Sequence, residues 1–200
     1  GPTCLHAVYS YYNDSISLSE IISEVTPMDE GGTLEVFLAC HALRRGYKTT
    51  IFPYNLQIFD PTWSAIPSKE IAARLRRQLS FKKDIPGFEL VTKAYLEYLE
   101  LGGQLKFEVM TASLIRRYLK KSIPILTGLS ATYLYNEARE YGTGSEFTYD
   151  DIRGESIGHF RDATSPVLLQ VVHEFQLLAA ESPVDFDKTI GIAQCQNLGP

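Results

Sequence analysis

Hydrophobic residues recur every three to four positions in several stretches of the chain, which predicts amphipathic helices. In the first stretch Leu5, Val8 and Tyr12 lie on one face. Ser17 and Glu20 then form the S-x-x-E pattern of a capping box, which indicates the start of a second helix. The same reasoning predicts helices over residues 4–12, 69–79, 89–101 and 113–121, and within 17–27 and 33–46.

β-Branched and aromatic residues are concentrated in three short runs, which predicts strands over residues 47–52, 105–110 and 123–129. Residues 53–67 contain three prolines and are predicted to form an irregular loop. Residues 167–180 fit one helix, although residues 167–172 alone fit a strand equally well. No long linker separates these elements, so we predict a single domain covering residues 1–200.

The composition is that of an ordinary globular protein, with 44% hydrophobic and 22% charged residues. The net charge of −5 argues against nucleic acid as a partner, because phosphate binding needs clustered lysine and arginine. The chain has no apolar run of the roughly 18 residues that a membrane span needs, and no secretory leader. We therefore expect a soluble, cytoplasmic protein, with its oligomeric state undetermined.

Three widely spaced cysteines predict neither a disulfide framework nor a paired C-x-x-C metal site, which favours free thiols in a reducing compartment. Cys40 and His41 are adjacent on a predicted helix, so both side chains cannot comfortably face one ion. We therefore expect no metal and no other cofactor.

Cys4 lies where the first predicted helix begins, and unpaired backbone N–H groups at a helix start favour a thiolate. Such a nucleophile needs a base. His159 follows a glycine and a long polar segment and precedes an aromatic residue, which is typical of a side chain at the edge of a cleft. His6, His41 and His173 lie in helical or apolar segments and are interpreted as structural. The sequence thus suggests a Cys4 and His159 pair.

The segments around these residues follow a recognisable order. Residues 1–5 read G-P-T-C-L and lead to Tyr-Tyr at 11–12, while residues 32–47 run from Gly-Thr-Leu to Gly-Tyr. Ile-Pro-Ile at 123–125 precedes Gly-His-Phe at 158–160. Together these motifs resemble those of the double-glycine leader peptidases, bacterial papain-like cysteine peptidases that trim bacteriocin precursors.

The resemblance implies an α+β, papain-like fold in which a helical lobe carries the cysteine and an antiparallel sheet carries the histidine. Residues of about 53–104 would be a variable helical and loop insertion. The implied function is that of a thiol peptidase, a hydrolase that cleaves a peptide bond in a peptide or protein substrate through Cys4 and His159.

The chain departs from the family motif in one important respect. The family's nucleophile is the cysteine immediately before the motif's glycine, and Cys4 corresponds to the second cysteine, which usually packs in the core. The chain also ends in the Gly-Pro with which it begins. When the two ends are overlapped, Gln196 lies six residues before Cys4, where papain-like enzymes place an oxyanion-hole glutamine, and Leu198 takes the usual nucleophile position.

These departures leave two alternatives to peptide hydrolysis. The domain could be a catalytically inactive, peptidase-like module that binds a peptide or protein partner. It could also be a thiol acyltransferase or deamidase. The acid that would orient His159 is unassigned, because Asp162 is too close in sequence and Glu174 would require an unproven register.

Overall fold

The computed structural model describes residues 1–27, 33–53, 55–108, 111–128, 140–141, 148–149 and 188–194. Within them the helices are α1 (Pro2–Tyr11), α2 (Leu18–Glu24), α3 (Glu35–Arg44), α4 (Ser68–Phe81), α5 (Phe88–Glu100) and α6 (Ala112–Leu119). The strands are β1 (Lys48–Phe52), β2 (Gln104–Leu105), β3 (Ile125–Gly128), β4 (Glu140–Tyr141), β5 (Thr148–Tyr149) and β6 (Thr189–Gln194). None of these helices is both long and apolar enough to cross a membrane.

The helices predicted before residue 122 are confirmed, and local sequence explains where they begin and end. α1 starts at Pro2, a residue whose fixed φ suits the first helical position. Ser17 and Glu20 form the predicted capping box, each side chain accepting a hydrogen bond from the other residue's backbone N–H. α3 is followed by Gly46, whose φ of +82° is the left-handed conformation that favours glycine. The segment 167–180 lies outside the described residues.

The main sheet contains four strands in the order β2, β1, β6 and β3, and every neighbouring pair is parallel. Ile51 of β1 lies opposite Leu105 on one side and Ile192 on the other. The predicted papain-like fold with an antiparallel sheet is therefore wrong, although the described chain does combine helices and strands, as the α+β prediction required. The reason is that helices, and no short hairpin turns, connect β1 to β2 and β2 to β3. Such crossovers return the chain to the same end of a sheet, so successive strands run in the same direction.

The strand predictions differ in accuracy. Those at 47–52 and 123–129 correspond to β1 and β3. Of the strand predicted at 105–110, residues 106–108 are not part of a strand, residues 109–110 lie outside the described residues, and the observed strand is Gln104–Leu105. The proline-rich segment 53–67 is irregular as predicted, apart from a short 3-10 helix at Pro61–Ala65. β4 and β5 form a separate antiparallel pair.

β6 is an interior strand of the main sheet, although no strand was predicted there. Ile190 and Ile192 are buried in the large core together with residues of α1, α3 and α5. On the other face, a Cβ added to Gly191 would lie 3.2 Å from the Tyr118 ring of α6. Helices therefore cover both faces of the sheet around β6, as is usual for parallel sheets.

Candidate functional site

Cys4 lies in the first turn of α1, as predicted, but its side chain is buried. It is only 8% exposed and belongs to the large hydrophobic core. Burial raises the pKa of the Cys4 thiol, because removal from water disfavours the thiolate. Reactive cysteines have the opposite properties, a lowered pKa and access to solvent. The environment of Cys4 is therefore that of a structural thiol.

The first turn of α1 also packs closely on the start of α3. A Cβ added to Gly1 would lie 2.9 Å from the Thr33 Cβ and 3.5 Å from a methyl group of Leu38. Only a glycine allows this approach without movement of Thr33. This contact covers part of the N-terminal end of α1, close to Cys4.

His41 has a structural role, as the sequence indicated. It is 3% exposed, with Nδ1 2.7 Å from the Tyr9 hydroxyl and Nε2 3.1 Å from Glu24 Oε2. Because a carboxylate only accepts, the imidazole donates from Nε2 and accepts the Tyr9 O–H at Nδ1. This neutral tautomer satisfies both nitrogens, and burial lowers the pKa of His41 although Glu24 opposes the shift. His41 therefore joins α1, α2 and α3.

The histidine predicted as the catalytic base lies outside the described residues, as do His173 and Gln196. His6 is described and half-buried, but it follows Cys4 by two positions on the same helix. Side chains at that spacing point about 200° apart around the helix axis. The pairing of Cys4 with His159, and the role of Gln196 in an oxyanion hole, stay predictions.

A cavity of about 190 Å³ lies between the end of α2, α3 and α5. Part of its lining is apolar, another part carries charges of both signs, and Thr26 adds a neutral polar side chain. The apolar part consists of Phe37, Cys40, Leu90 and Ala94, and the charged part of Glu24, Arg44, Lys93 and Glu97. Sequence analysis did not predict this cavity, since its walls come from helices about 50 residues apart in the chain.

The charged residues of the cavity are largely engaged with one another or with close neighbours. Arg44 forms an ion pair with Glu97, and Lys93 Nζ lies 2.6 Å from Glu89 Oε1, one turn earlier on α5. Glu24 differs because its partner is His41, which is neutral in the tautomer described above. Among the described residues, the Glu24 carboxylate is thus bound without a formal opposite charge.

Cys40 contributes its thiol to the wall of the cavity. The side chain is 2% exposed, and Sγ lies 3.7 Å from the backbone carbonyl of Ala94. Burial, with the nearby charge of Glu97, raises the pKa of this thiol to about 12. Cys40 is therefore not a nucleophile at neutral pH. The Cys40 thiol contacts α5, whereas the His41 ring contacts α1 and α2. The two neighbouring side chains therefore point in different directions and do not face one ion.

A partly buried titratable side chain, Glu35, lies at the start of α3. The Tyr95 hydroxyl of α5 donates to Glu35 Oε1 at 2.5 Å. Burial raises the pKa of Glu35 despite this hydrogen bond. Within the described ranges, no cluster of three or more histidine, cysteine, aspartate or glutamate side chains could hold a metal ion.

Comparison with known proteins assigns no family: no family model matches the sequence, and no curated protein or solved structure shows significant similarity to it. The likeness to the double-glycine leader peptidases therefore rests on the sequence motifs alone.

Proposed function

We propose that the protein is a binding module for a peptide or protein partner and does not use Cys4 as a nucleophile. The burial of the Cys4 thiol carries this proposal. A thiol that is 8% exposed and has a raised pKa is protonated at neutral pH and has little access to a substrate carbonyl. Cys4 instead contributes to the core, as the second cysteine of the motif does in the family that the sequence resembles.

A peptide is the ligand class that the motifs support best, because the leader peptidases act on peptides. The cavity between α3 and α5 adds a physical argument. Its lining combines apolar side chains with charged groups, and peptides present both kinds of surface. Such contacts are enough to bind a peptide, so this role needs no nucleophile in the cavity.

Thiol labelling tests the catalytic half of the proposal. The intact protein is treated with iodoacetamide at pH 7.5, and mass spectrometry of its peptides follows Cys4, Cys40 and Cys195 separately. We expect Cys4 to react at least about tenfold more slowly than N-acetylcysteine, in line with the buried Cys40. Rapid, saturable modification of Cys4 would contradict the proposal.

Equilibrium binding tests the other half. A mixed library of tripeptide amides, with half of the peptides N-acetylated, is dialysed against the protein, and mass spectrometry identifies retained peptides. We expect retention of a subset, with no cleavage over hours. If the protein retains neither free nor N-acetylated peptides, the binding proposal fails.

Hydrolysis through Cys4 and His159 is the second candidate function. It is favoured by the position of Cys4 in the first turn of α1, where unpaired backbone N–H groups stabilise negative charge. Thiol acyl transfer or deamidation would use the same pair. Cleavage or deamidation of library peptides that is lost in both Cys4→Ala and His159→Ala would establish this alternative and exclude the inactive module.

A further inference from the structure

The size of the cavity sets the size of the group that it can hold. Its volume of about 190 Å³ exceeds the roughly 150 Å³ of an engineered protein cavity that accommodates benzene. It is smaller than the roughly 300–1,000 Å³ typical of sites for drug-sized ligands. The cavity therefore has room for one side chain of leucine size and not for an extended peptide segment.

The apolar lining favours a hydrocarbon side chain. Ala94 and Cys40 are 5% and 2% exposed and form the buried part of the wall, while Leu90 is 40% exposed. An apolar group placed against these residues would remove their remaining surface and that of Leu90 from water, which is favourable. Leu90 is also one of the few large apolar side chains exposed in the described part of the chain.

The charged lining favours a cation beside that side chain. Arg44 and Lys93 have acidic partners, whereas Glu24 is held by the imidazole of His41. Since burial lowers the pKa of His41, its ring brings no positive charge to the Glu24 carboxylate near neutral pH, and that carboxylate, 58% exposed, is open to a cation from solvent. His41 also fixes the position of the carboxylate, because His41 itself is anchored by the Tyr9 hydroxyl.

We infer that this cavity binds the first residue of a peptide, with its apolar side chain against Leu90 and Ala94 and its free α-ammonium group against Glu24. The inference rests on the proposed function and assigns that function to a site. An α-ammonium group donates charge-assisted hydrogen bonds, which are stronger than neutral ones. The cavity therefore distinguishes a free amino terminus from an acylated one.

Three peptide probes test the assignment: Leu-Gly-Gly amide, its N-acetylated form, and Gly-Gly-Gly amide. Each is titrated into the intact protein and followed by two-dimensional NMR. We expect Leu-Gly-Gly amide to perturb signals of α3 and α5, and each of the other two to bind at least about tenfold more weakly. L-Leucine, titrated in parallel, shows whether a free amino acid suffices; if it binds as tightly as the tripeptide amide, the assignment to a peptide is overturned.

The Glu24→Gln variant provides the matched test of charge. Glutamine retains an oxygen that can accept from His41 Nε2, so the variant removes the charge and keeps the contact. Because the Glu24 side chain is 58% exposed and solvent screens its charge, we expect the variant to lose affinity for Leu-Gly-Gly amide by about two- to fivefold. The Glu100→Gln variant, on α5 but outside the cavity lining, retains wild-type affinity. Thermal unfolding verifies that each variant is folded.

A Leu90→Ala variant tests the apolar contact at a partly exposed position that the fold tolerates. It should reduce the preference for leucine over glycine severalfold and leave the preference for a free amino terminus intact. Equal binding of the acetylated and free peptides, together with unchanged affinity in Glu24→Gln, overturns the site assignment while peptide binding stands. Retention of no peptide in the library experiment refutes the proposed function itself.

Discussion

The two ends of α3 carry titratable side chains in contrasting settings, the partly buried Glu35 and the buried His41. At the start of the helix, Glu35 accepts a hydrogen bond from Tyr95. Towards the end, His41 accepts one from Tyr9 and donates another to Glu24. Each side chain is thus bonded to a tyrosine hydroxyl from another helix. One is an acid and the other a base, so burial of the neutral form has opposite consequences for the pH dependence of stability.

The direction in which pH changes the contribution of His41 to stability follows from its lowered pKa in the folded protein. The unfolded chain takes up a proton near the ordinary value of 6.5, whereas the folded protein does so only at lower pH. Above pH 6.5 both states are neutral at this position, and His41 adds no pH dependence. As the pH falls below 6.5 towards the folded-state pKa, the stability decreases.

The contribution of Glu35 to stability changes with pH in the opposite direction. Its unfolded-state pKa is near 4.5, and burial raises the folded-state value. Below pH 4.5 both states are protonated, and the buried neutral acid imposes no penalty. As the pH rises through 4.5 towards the folded-state pKa, the unfolded chain ionises first and the stability decreases.

Removal of the buried base should have the largest effect. His41→Ala deletes a core side chain that joins three helices and leaves the Tyr9 hydroxyl without its partner. We expect a loss of roughly 3 kcal/mol in the free energy of unfolding, measured by urea denaturation at pH 7.5. His6→Ala, a half-buried histidine on α1, serves as the control and should cost less than about 1 kcal/mol. Equal losses in the two variants would contradict a special role for His41.

Removal of the hydroxyl group at the other end of α3 should have a smaller effect. Tyr95→Phe retains the ring but removes the donor to Glu35, for an expected loss of roughly 1–2 kcal/mol at pH 7.5. Tyr118→Phe is the matched control because, among the described residues, the Tyr118 hydroxyl forms no hydrogen bond. It should change stability by less than about 0.5 kcal/mol. An equal loss of stability in Tyr118→Phe would contradict a stabilising role for the hydrogen bond from Tyr95 to Glu35.

The opposite pH responses can be separated by two conservative variants. Just above pH 4.5 the contribution of Glu35 to stability decreases with pH, whereas just below pH 6.5 that of His41 increases with pH. Glu35→Gln should therefore show stability that increases with pH more steeply than the wild type. His41→Gln should show a profile shifted in the opposite sense. Urea denaturation at half-unit pH intervals measures both slopes, and a shift of the same sign in both variants would refute the assignment.

The smallest effect is expected at a partly exposed ion pair near the end of α3. Arg45 Nη2 lies 2.5 Å from Asp14 Oδ1, and the Tyr47 hydroxyl donates to Asp14 at 3.1 Å. Partial burial alone would raise the pKa of Asp14, but the hydrogen bonds from Arg45 and Tyr47 lower it overall. This contribution to stability is therefore present above the unfolded value of 3.8 and is lost as the pH falls through the folded-state pKa.

Asp14→Asn should cost less than about 1 kcal/mol at pH 7.5, because solvent screens the pair. The cost should shrink further in 0.5 M salt. Glu100→Gln removes a more exposed pair with Arg76 and should change stability by about 0–0.5 kcal/mol. A salt-independent loss in Asp14→Asn would mean that the hydrogen bond from Tyr47 matters more than the charge of Arg45.

The candidate site was predictable only in part. The start of α1 at Pro2 and Cys4 could be inferred, because helix initiation depends on a few neighbouring residues. Whether the Cys4 thiol is exposed could not, since its burial depends on core residues far away in the chain. The hydrogen bond that holds the Glu24 carboxylate at the cavity likewise comes from His41, 17 residues later.

The sequence by itself determined the helices of the first 120 residues, through hydrophobic periodicity, the Ser17–Glu20 capping box and Gly46. These signals act over one or two helical turns, so they can be recognised in the sequence without knowledge of the fold. Only the tertiary structure decided the parallel sheet, the placement of β6 between β1 and β3, and the cavity between α3 and α5. Those features depend on contacts between residues far apart in the chain, such as Ile51 and Ile192, which are 141 positions apart, and no local pattern specifies which distant segments will pair.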